Sequence, residues 1–444
     1  MEIIQFEDKD LAHYSYALIS EGEIALIDPA RNPQPYYDLA NQHHAKIIAV
    51  IETHPHADFI SSHLEIHETT GAVIYVSELL NAEYEHHFFD EGDSILIGDV
   101  TLKALNTPGH SPDSICIVGI NANGKKEVVF TGDTLFIGDC GRPDLRENVG
   151  GITAAREELA GQMYHSLRDK LMNLPDSVLV YPAHGAGSLC GKGLSSKNSS
   201  TIGIEKMTNW CLQRSTEANF VKELLADQPF VPKYFTHAVA LNKKGAGKYK
   251  DGIQKIIVSE TAPDTFEDYI IIDTRNETEF KKGHYANSIN LINADKFETW
   301  LGSIIAPKER FYLLADNRKE LQTLIERIAK IGYEGQVIKA FVAKEIKGHA
   351  EENPDVEKFR NSKQDYTIID VRNVTEVKER KIFENSINIP LQELRERANE
   401  IPTDKPIIVH CAGGYRSAAG AGIIKNVLQP QVPVFDLSNA IETF

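Results

Sequence analysis

The sequence predicts an α/β protein in three parts: a larger domain over residues 1–242 and two small α/β domains over 249–346 and 355–444. Three observations carry this reading. At 444 residues the chain is longer than one hydrophobic core ordinarily organises. Its first half alternates strand-like runs with turns and helical patterns. Beyond it, "YIIIDTRNETEFKKGHYANSINL" from Tyr269 returns as "YTIIDVRNVTEVKERKIFENSINIP" from Tyr366, the mark of a tandem repeat.

The strands of the first part are read in order as "EIALIDPA", "AKIIAVIE", "AVIYVS", "DSILIG", "VTLKALNT", "SICIVG", "EVVFTGD" and "SVLVYPAH", each rich in β-branched residues and bounded by Gly, Pro, Asn or Asp. Polar residues of metal-binding type stand just past several of their C-terminal ends, where loops on a rigid scaffold collect chemistry. A basic, glycine-containing stretch from Asn242, "NKKGAGKYKDG", reads as a linker. The polar segment "KGHAEENPDVEKFRNSKQ" separates the two repeats.

Composition narrows the function. A formal net charge of -17 disfavours encounter with nucleic acid or an anionic membrane, so any anionic substrate must be held by local groups. No apolar stretch approaches the roughly 20 residues of a membrane span, and the N-terminus lacks the basic and apolar regions of a secretory signal, so a cytoplasmic location is expected. Five scattered cysteines make no disulfide framework. Cys116, Cys140 and Cys211 read as buried small hydrophobes.

Four pieces of the first domain are candidates for one metal: His54, His56 and Asp58 in "ETHPHADFISSH", His110 in "TPGHSPDS", Asp133 in "FTGDTLFIGDCGRPDL" and His184 in "YPAHGAG". This ordered set resembles the ligand pattern of the metallo-β-lactamase fold, which implies an αββα sandwich. In its dinuclear hydrolases of the glyoxalase II type a histidine follows the aspartate. Phe59 stands there instead, and a phenyl ring cannot coordinate. The persulfide dioxygenase branch uses one ferrous iron, and its triad carried over by position is His54, His110 and Asp133. Two histidines and a carboxylate suit non-haem Fe(II), so one Fe(II) per chain is expected. His56, Asp58 and His184 are then groups that orient ligands and water, with direct coordination by His56 left open.

Arg142 in "GDCGRPDL" reads either as a guanidinium holding the substrate's carboxylate or phosphate, or as a surface ion pair. Cys190, in "PAHGAGSLCGKG", resembles the loop cysteine of dioxygenases fused to rhodanese domains; it lies near the substrate entrance or is a structural thiol.

At the far end, "PIIVHCAGGYRSAAGAGIIKNVL" runs strand, loop, helix. The glycines Gly413 and Gly414 let amides turn toward Cys411 at a helix N-terminus, an environment expected to favour its thiolate. Arg416 supplies a cation for an anionic sulfur species. The loop resembles the rhodanese active site, which implies that Cys411 carries sulfur as a persulfide. In the first repeat "RFYLLADNRKEL" is read with Asp316 in place of the cysteine, so that copy is expected to be catalytically dead, spacing the outer domains or packing in a dimer.

Together these resemblances imply a persulfide dioxygenase joined to a sulfurtransferase. Its partners would be a low-molecular-weight thiol persulfide, O2, and sulfite and thiosulfate, in a homo-oligomer. Two other readings stay open: a glyoxalase II-like zinc thioester hydrolase with appended rhodanese domains, and a non-enzymatic persulfide carrier.

Overall fold

The computed structural model describes residues 1–146 and 155–444. The chain divides into two compact units, Met1–Asp251 with Ala329–Gly332, and Gly252–Ile328 with Tyr333–Phe444. Among the described residues no helix is long and apolar enough to cross a membrane.

The first unit holds two six-stranded sheets. One runs β1 (Glu2–Asp8), β2 (His13–Ser20), β3 (Glu23–Ile27), β4 (Lys46–Ile51), β5 (Val73–Val76), β6 (His87–Phe88) in that spatial order. The other comprises β7 (Ser94–Ile97), β8 (Val100–Asn106), β9 (Ile115–Ile120), β10 (Lys126–Gly132), β11 (Leu179–Pro182) and β12 (Ser200–Thr201), ordered from β12 back to β7. Alternation along β2 shows how the layers form. Tyr14, Tyr16 and Leu18 join Leu102, Ile117 and Phe130 of the other sheet in one apolar core, while Ala17 and Ile19 face a second core with Tyr36, Leu39 and Ile66 of the covering helices. A third core seats the helix Arg156–His165 on the outer face of the second sheet. The result is the expected αββα sandwich, and all eight strands read from the sequence form within it. The N-terminal pair β1 and β2 was not among them: β2 is buried on both faces, so its polar-looking "HYSYALIS" carries no exposed alternation to read.

The second unit contains two parallel sheets. The first has β13 (Val258–Ser259), β14 (Ile270–Asp273), β15 (Ser288–Asn290), β16 (Phe311–Ala315) and β17 (Val337–Val342), ordered β13-β17-β16-β14-β15. The second has β18 (Thr367–Asp370), β19 (Ile387–Asn388), β20 (Ile407–His410) and β21 (Val434–Asp436), ordered β19-β18-β20-β21. The repeated letters do the same work twice. Arg275 forks the Asp273 carboxylate at 3.0 and 2.6 Å, and Arg372 forks Asp370 at 2.9 and 2.6 Å. Asn290 donates to the carbonyls of Asp273 and Arg275, and Asn388 donates to those of Asp370 and Arg372.

Strand register corrects one assignment. Thr274 N bonds Leu314 O, as Val371 N bonds His410 O, so the residue matching Cys411 is Ala315 and Asp316 lies one place beyond. A methyl group, like the aspartate expected there, offers no sulfur nucleophile.

Asp370→Ala leaves the Arg372 guanidinium, 5% exposed, without its counter-charge. The second unit should lose about 3–5 kcal/mol, read as a lowered denaturation midpoint of its own unfolding transition.

Candidate active site

Four loops at the C-terminal ends of strands meet in the first unit. His54, His56 and Asp58 follow β4, His110 follows β8, Asp133 follows β10 and His184 follows β11, and all six are buried. Parallel pairing of β10 with β11 brings Gly132 level with Pro182, so Asp133 and His184 emerge side by side. Gly132 turns there with φ +49°, and a Cβ on it would lie 2.5 Å from Thr53 Oγ1. Only glycine allows both the turn and the approach.

His54 Nε2 and His110 Nε2 lie 3.7 and 3.4 Å from the same atom, Asp133 Oδ2. Among the described residues neither His54 Nε2 nor Asp133 Oδ2 has a hydrogen-bond partner, although both are buried. Such atoms are costly to leave unsatisfied. Their spacing is that of ligands sharing a cation, where donors about 2.1 Å from a metal stand about 3 to 4 Å apart. The opposite ring nitrogens are already fixed. His110 Nδ1 donates to the Arg142 carbonyl at 2.9 Å, and His54 Nδ1 meets Thr53 Oγ1 at 3.0 Å, whose hydroxyl donates to Asp28 Oδ2 at 2.8 Å. Each arrangement leaves Nε2 with a lone pair for a metal. Burial, with help from His56, lowers His54 well below the usual imidazole range, and burial lowers His110 against the pull of Asp133. Burial alone would raise Asp133, but His184, His110 and His54 hold it well below the usual carboxylate range. Two neutral imidazoles and a charged carboxylate fit a divalent cation.

His184 occupies the other oxygen of Asp133. Its Nδ1 donates to Oδ1 at 2.7 Å and its Nε2 lies 2.8 Å from Asp58 Oδ2. Burial would lower its pKa, but the two carboxylates raise it well above the ordinary value. His56 Nε2 is 3.2 Å from Asp28 Oδ1. The Phe59 ring packs 3.8 Å from the His13 ring and 4.4 Å from the His56 ring, centroid to centroid, filling this side of the site with hydrocarbon.

Two residues here escaped the sequence reading. His13 is buried against His56, Phe59 and His184, and only its place on an all-buried strand hints at it. Asn242 opens the stretch read as a linker, yet the helix Tyr234–Lys244 runs through it. Its side chain donates to the carbonyls of His56 and Phe59, both at 2.8 Å, and accepts from Ser61 N. Its signal was position: it falls four and three places after the buried Ala238 and Val239, on the helix's inner face.

Arg142 is neither open to substrate nor a surface pair. It is 1% exposed, forks Asp144 at 2.7 and 2.6 Å and donates to the Leu189 carbonyl. Its backbone serves the site instead, accepting from His110 and donating to the Cys190 carbonyl. Cys190 is buried with its sulfur grouped with Asp58 and His184, and burial, followed by Asp58 and Asp133, raises its thiol well above the ordinary value. Cys140 and Cys211, given no role by the sequence, meet with sulfurs 2.8 Å apart.

In the second unit Cys411 directly follows β20. Gly414, at φ +94°, donates its N–H to Cys411 Sγ at 3.1 Å, and Gly413 lies on the exposed side of the loop. Ser417 Oγ stands 3.6 Å from the sulfur. Arg416 forks Glu376, with N···O distances of 2.6 and 2.8 Å, and its guanidinium carbon lies 5.8 Å from the Trp300 ring centre. An anion reaching Arg416 must therefore share or displace Glu376, a residue the motif alone did not disclose.

Comparison with known proteins assigns a family to each of the two regions that carry these sites. The metallo-beta-lactamase superfamily model matches residues 8–184 and the rhodanese-like domain model matches residues 354–443. The chain belongs to the metallo-β-lactamase superfamily, with a C-terminal rhodanese-like domain following that fold. More particularly, it is 32% identical over 232 residues to persulfide dioxygenase ETHE1, mitochondrial, of Bos taurus, covering 51% of this chain and 81% of that protein. It is 33% identical over 176 residues to a hydroxyacylglutathione hydrolase, cytoplasmic, of Arabidopsis thaliana, covering 39% of this chain and 63% of that protein. A crystal structure of a metallo-beta-lactamase from Staphylococcus aureus subsp. aureus COL superposes with a TM-score of 0.69 at 30% identity, over 77% of this chain and 99% of that one.

A methyl group at Gly141 would fall 2.0 Å from the Asp133 carbonyl and 2.9 Å from His110 Nδ1. Gly141→Ala should weaken metal affinity about 10- to 100-fold, read by chelator competition, since it displaces two ligands at once.

Proposed function

We propose that the protein is a persulfide dioxygenase coupled to a sulfurtransferase, with His54, His110 and Asp133 as ligands of one Fe(II). The observation that carries this reading is Phe59: its ring occupies the place after Asp58 and packs on His13 and His56, so a second metal lacks the histidine of dinuclear hydrolases. When bound, Fe(II) supplies the redox chemistry that joins dioxygen to persulfide sulfur. The overall change is RSSH + O2 + H2O giving RSH, sulfite and two protons.

The chain's own residues do the rest. Asp133 keeps its charge through the His184 hydrogen bond, and Thr53 and the Arg142 carbonyl hold His54 and His110 in the tautomers a metal needs. At the other site the Cys411 thiolate attacks the outer sulfur of a second persulfide and releases a thiol. Sulfite then takes that sulfur, forming thiosulfate and returning the thiolate; the same residues serve the reverse direction. His56 and Asp58 orient water and ligands, Arg416 meets the oxyanion in competition with Glu376, and the copy bearing Ala315 is an inactive rhodanese-like domain. We place this activity in a cytoplasmic homo-oligomer.

A second reading, thioester hydrolysis, has its own support: His56, Asp133 and His184 also bring ligand atoms within 4.8 Å of one another, and hydrolases stand among the relatives. Protein purified without oxygen decides between them. About one iron per chain, with oxygen uptake on adding glutathione persulfide that His110→Ala abolishes, is the expected outcome. Two zinc ions and thioester hydrolysis without uptake would hand the site to the hydrolase reading. Cys411→Ser should leave sulfite production intact and stop thiosulfate formation; an unchanged thiosulfate yield would sink the coupling.

A further inference from the structure

The copy that lacks a cysteine reaches into the surroundings of the cysteine in the other copy. Asp436 ends β21, the strand beside β20, and is 2% exposed. Its Oδ1 accepts from Ser438 N at 2.9 Å, and its Oδ2 has no hydrogen-bond partner among the described residues. The nearest cation to that oxygen is Lys281 Nζ at 3.4 Å, carried by the helix Glu277–Lys282 of the first copy. Lys281 is itself 8% exposed, bonded to Glu277 and, at 3.2 Å, to Asn353 Oδ1. Glu277 also bonds Ser438, so one short helix holds both ends of the Asp436–Ser438 turn.

That turn lies under the cysteine loop. A Cβ on Gly414 would stand 3.0 Å from Asn439 Oδ1. Ser417, fully buried, donates its hydroxyl to the Gly414 carbonyl at 2.9 Å and stands 3.6 Å from Cys411 Sγ, the sulfur to which the Gly414 N–H donates at 3.1 Å. The order is Lys281, the Asp436–Ser438 turn, Gly414, Cys411. Lys281 and Glu277 are the charges on the first copy's helix that reach Asp436; Arg416, paired with Glu376, is a cation that reaches Cys411, and His410, Asp370 and Arg372 form the buried charged group at the end of its strand.

We propose that Lys281 is a positioning residue for Cys411: it holds Asp436 and the turn that follows it, and through that turn the Gly414 N–H that hydrogen-bonds the reactive sulfur. Two physical points support it. Burial would lower Lys281, but Asp436 and Glu277 keep it above its ordinary value, so it remains a cation. Burial raises Asp436 to about 6, held back most by Lys281, so this carboxylate is sensitive to loss of its partner. Without Lys281 the ionised Asp436 carboxylate is an uncompensated anion beneath the cysteine loop, which disfavours the Cys411 thiolate. The first copy thus keeps a part in catalysis without a nucleophile of its own.

The proposal rests on the sulfur-transfer reading only for its activity assay, and the primary measurement avoids that assay. Alkylation of Cys411 by iodoacetamide is followed across pH by mass spectrometry of its peptide in the full-length protein. In Lys281→Met the profile should move to higher pH, with alkylation at pH 8 slowed about three- to tenfold, the effect of about half to one pKa unit. Lys281→Arg should restore it. Adding Asp436→Asn to Lys281→Met should bring the rate back within about twofold of the parent, since the unbalanced carboxylate is then gone. Lys282→Met, at an exposed lysine paired with Glu279, is the control. An unmoved profile in Lys281→Met overturns the proposal and leaves a structural contact. If that variant fails to fold, Asp436→Asn alone answers: an alkylation profile identical to the parent's overturns the proposal, and a displaced one supports it. Loss of thiosulfate-to-cyanide transfer in the parent, with alkylation still responsive to Lys281, would refute sulfur transfer and leave this inference standing.

Discussion

The site in the first unit depends on how one carboxylate is divided. Asp133 gives Oδ1 to His184 and keeps Oδ2 between two imidazole nitrogens that cannot hydrogen-bond it. His184 fixes the carboxylate's rotation, and Asp133 and Asp58 on its two sides raise its pKa well above the ordinary imidazole value. Every other feature serves that division: glycines where loops must touch, backbone groups that set the histidine tautomers, and a helix that clamps the loop from behind. A polar cluster this buried is expensive unless something binds it, so geometry and cost point to the same cation.

Much of this was readable in the sequence, for definable reasons. Strands with β-branched runs between turn residues announced themselves, and metal-type side chains at their ends announced the site. What stayed hidden was set by tertiary contact. Arg142 looked available because its partner Asp144 and the Leu189 carbonyl become neighbours only on folding. Arg416 looked available because Glu376 lies forty residues away. His13 and Asn242 belong to no motif, since their work is done by burial and by backbone carbonyls. The misplacement of Asp316 has another origin: letters alone did not fix the strand register, and one residue decides which side chain takes the cysteine's place.

The two repeats show which parts of a small α/β domain are needed to fold and which to react. The Asp-Arg fork and the asparagine that binds both flanking carbonyls are kept in each copy at nearly equal distances. The strand end where one copy has a thiol and the other a methyl group bears no such load. The shared scaffold contacts do not involve the residue at the cysteine's position.

Asn242 has a wider consequence. Its amide makes two donations and one acceptance to the backbone around His56, Phe59 and Ser61, a pattern that an acid or a methyl group cannot reproduce. The seam after the first sandwich is therefore no neutral hinge at which modules could be exchanged at will. A change in the segment after the first sandwich has to keep the last turns of that helix to keep these three bonds, and composition alone, basic and rich in glycine, conceals that requirement.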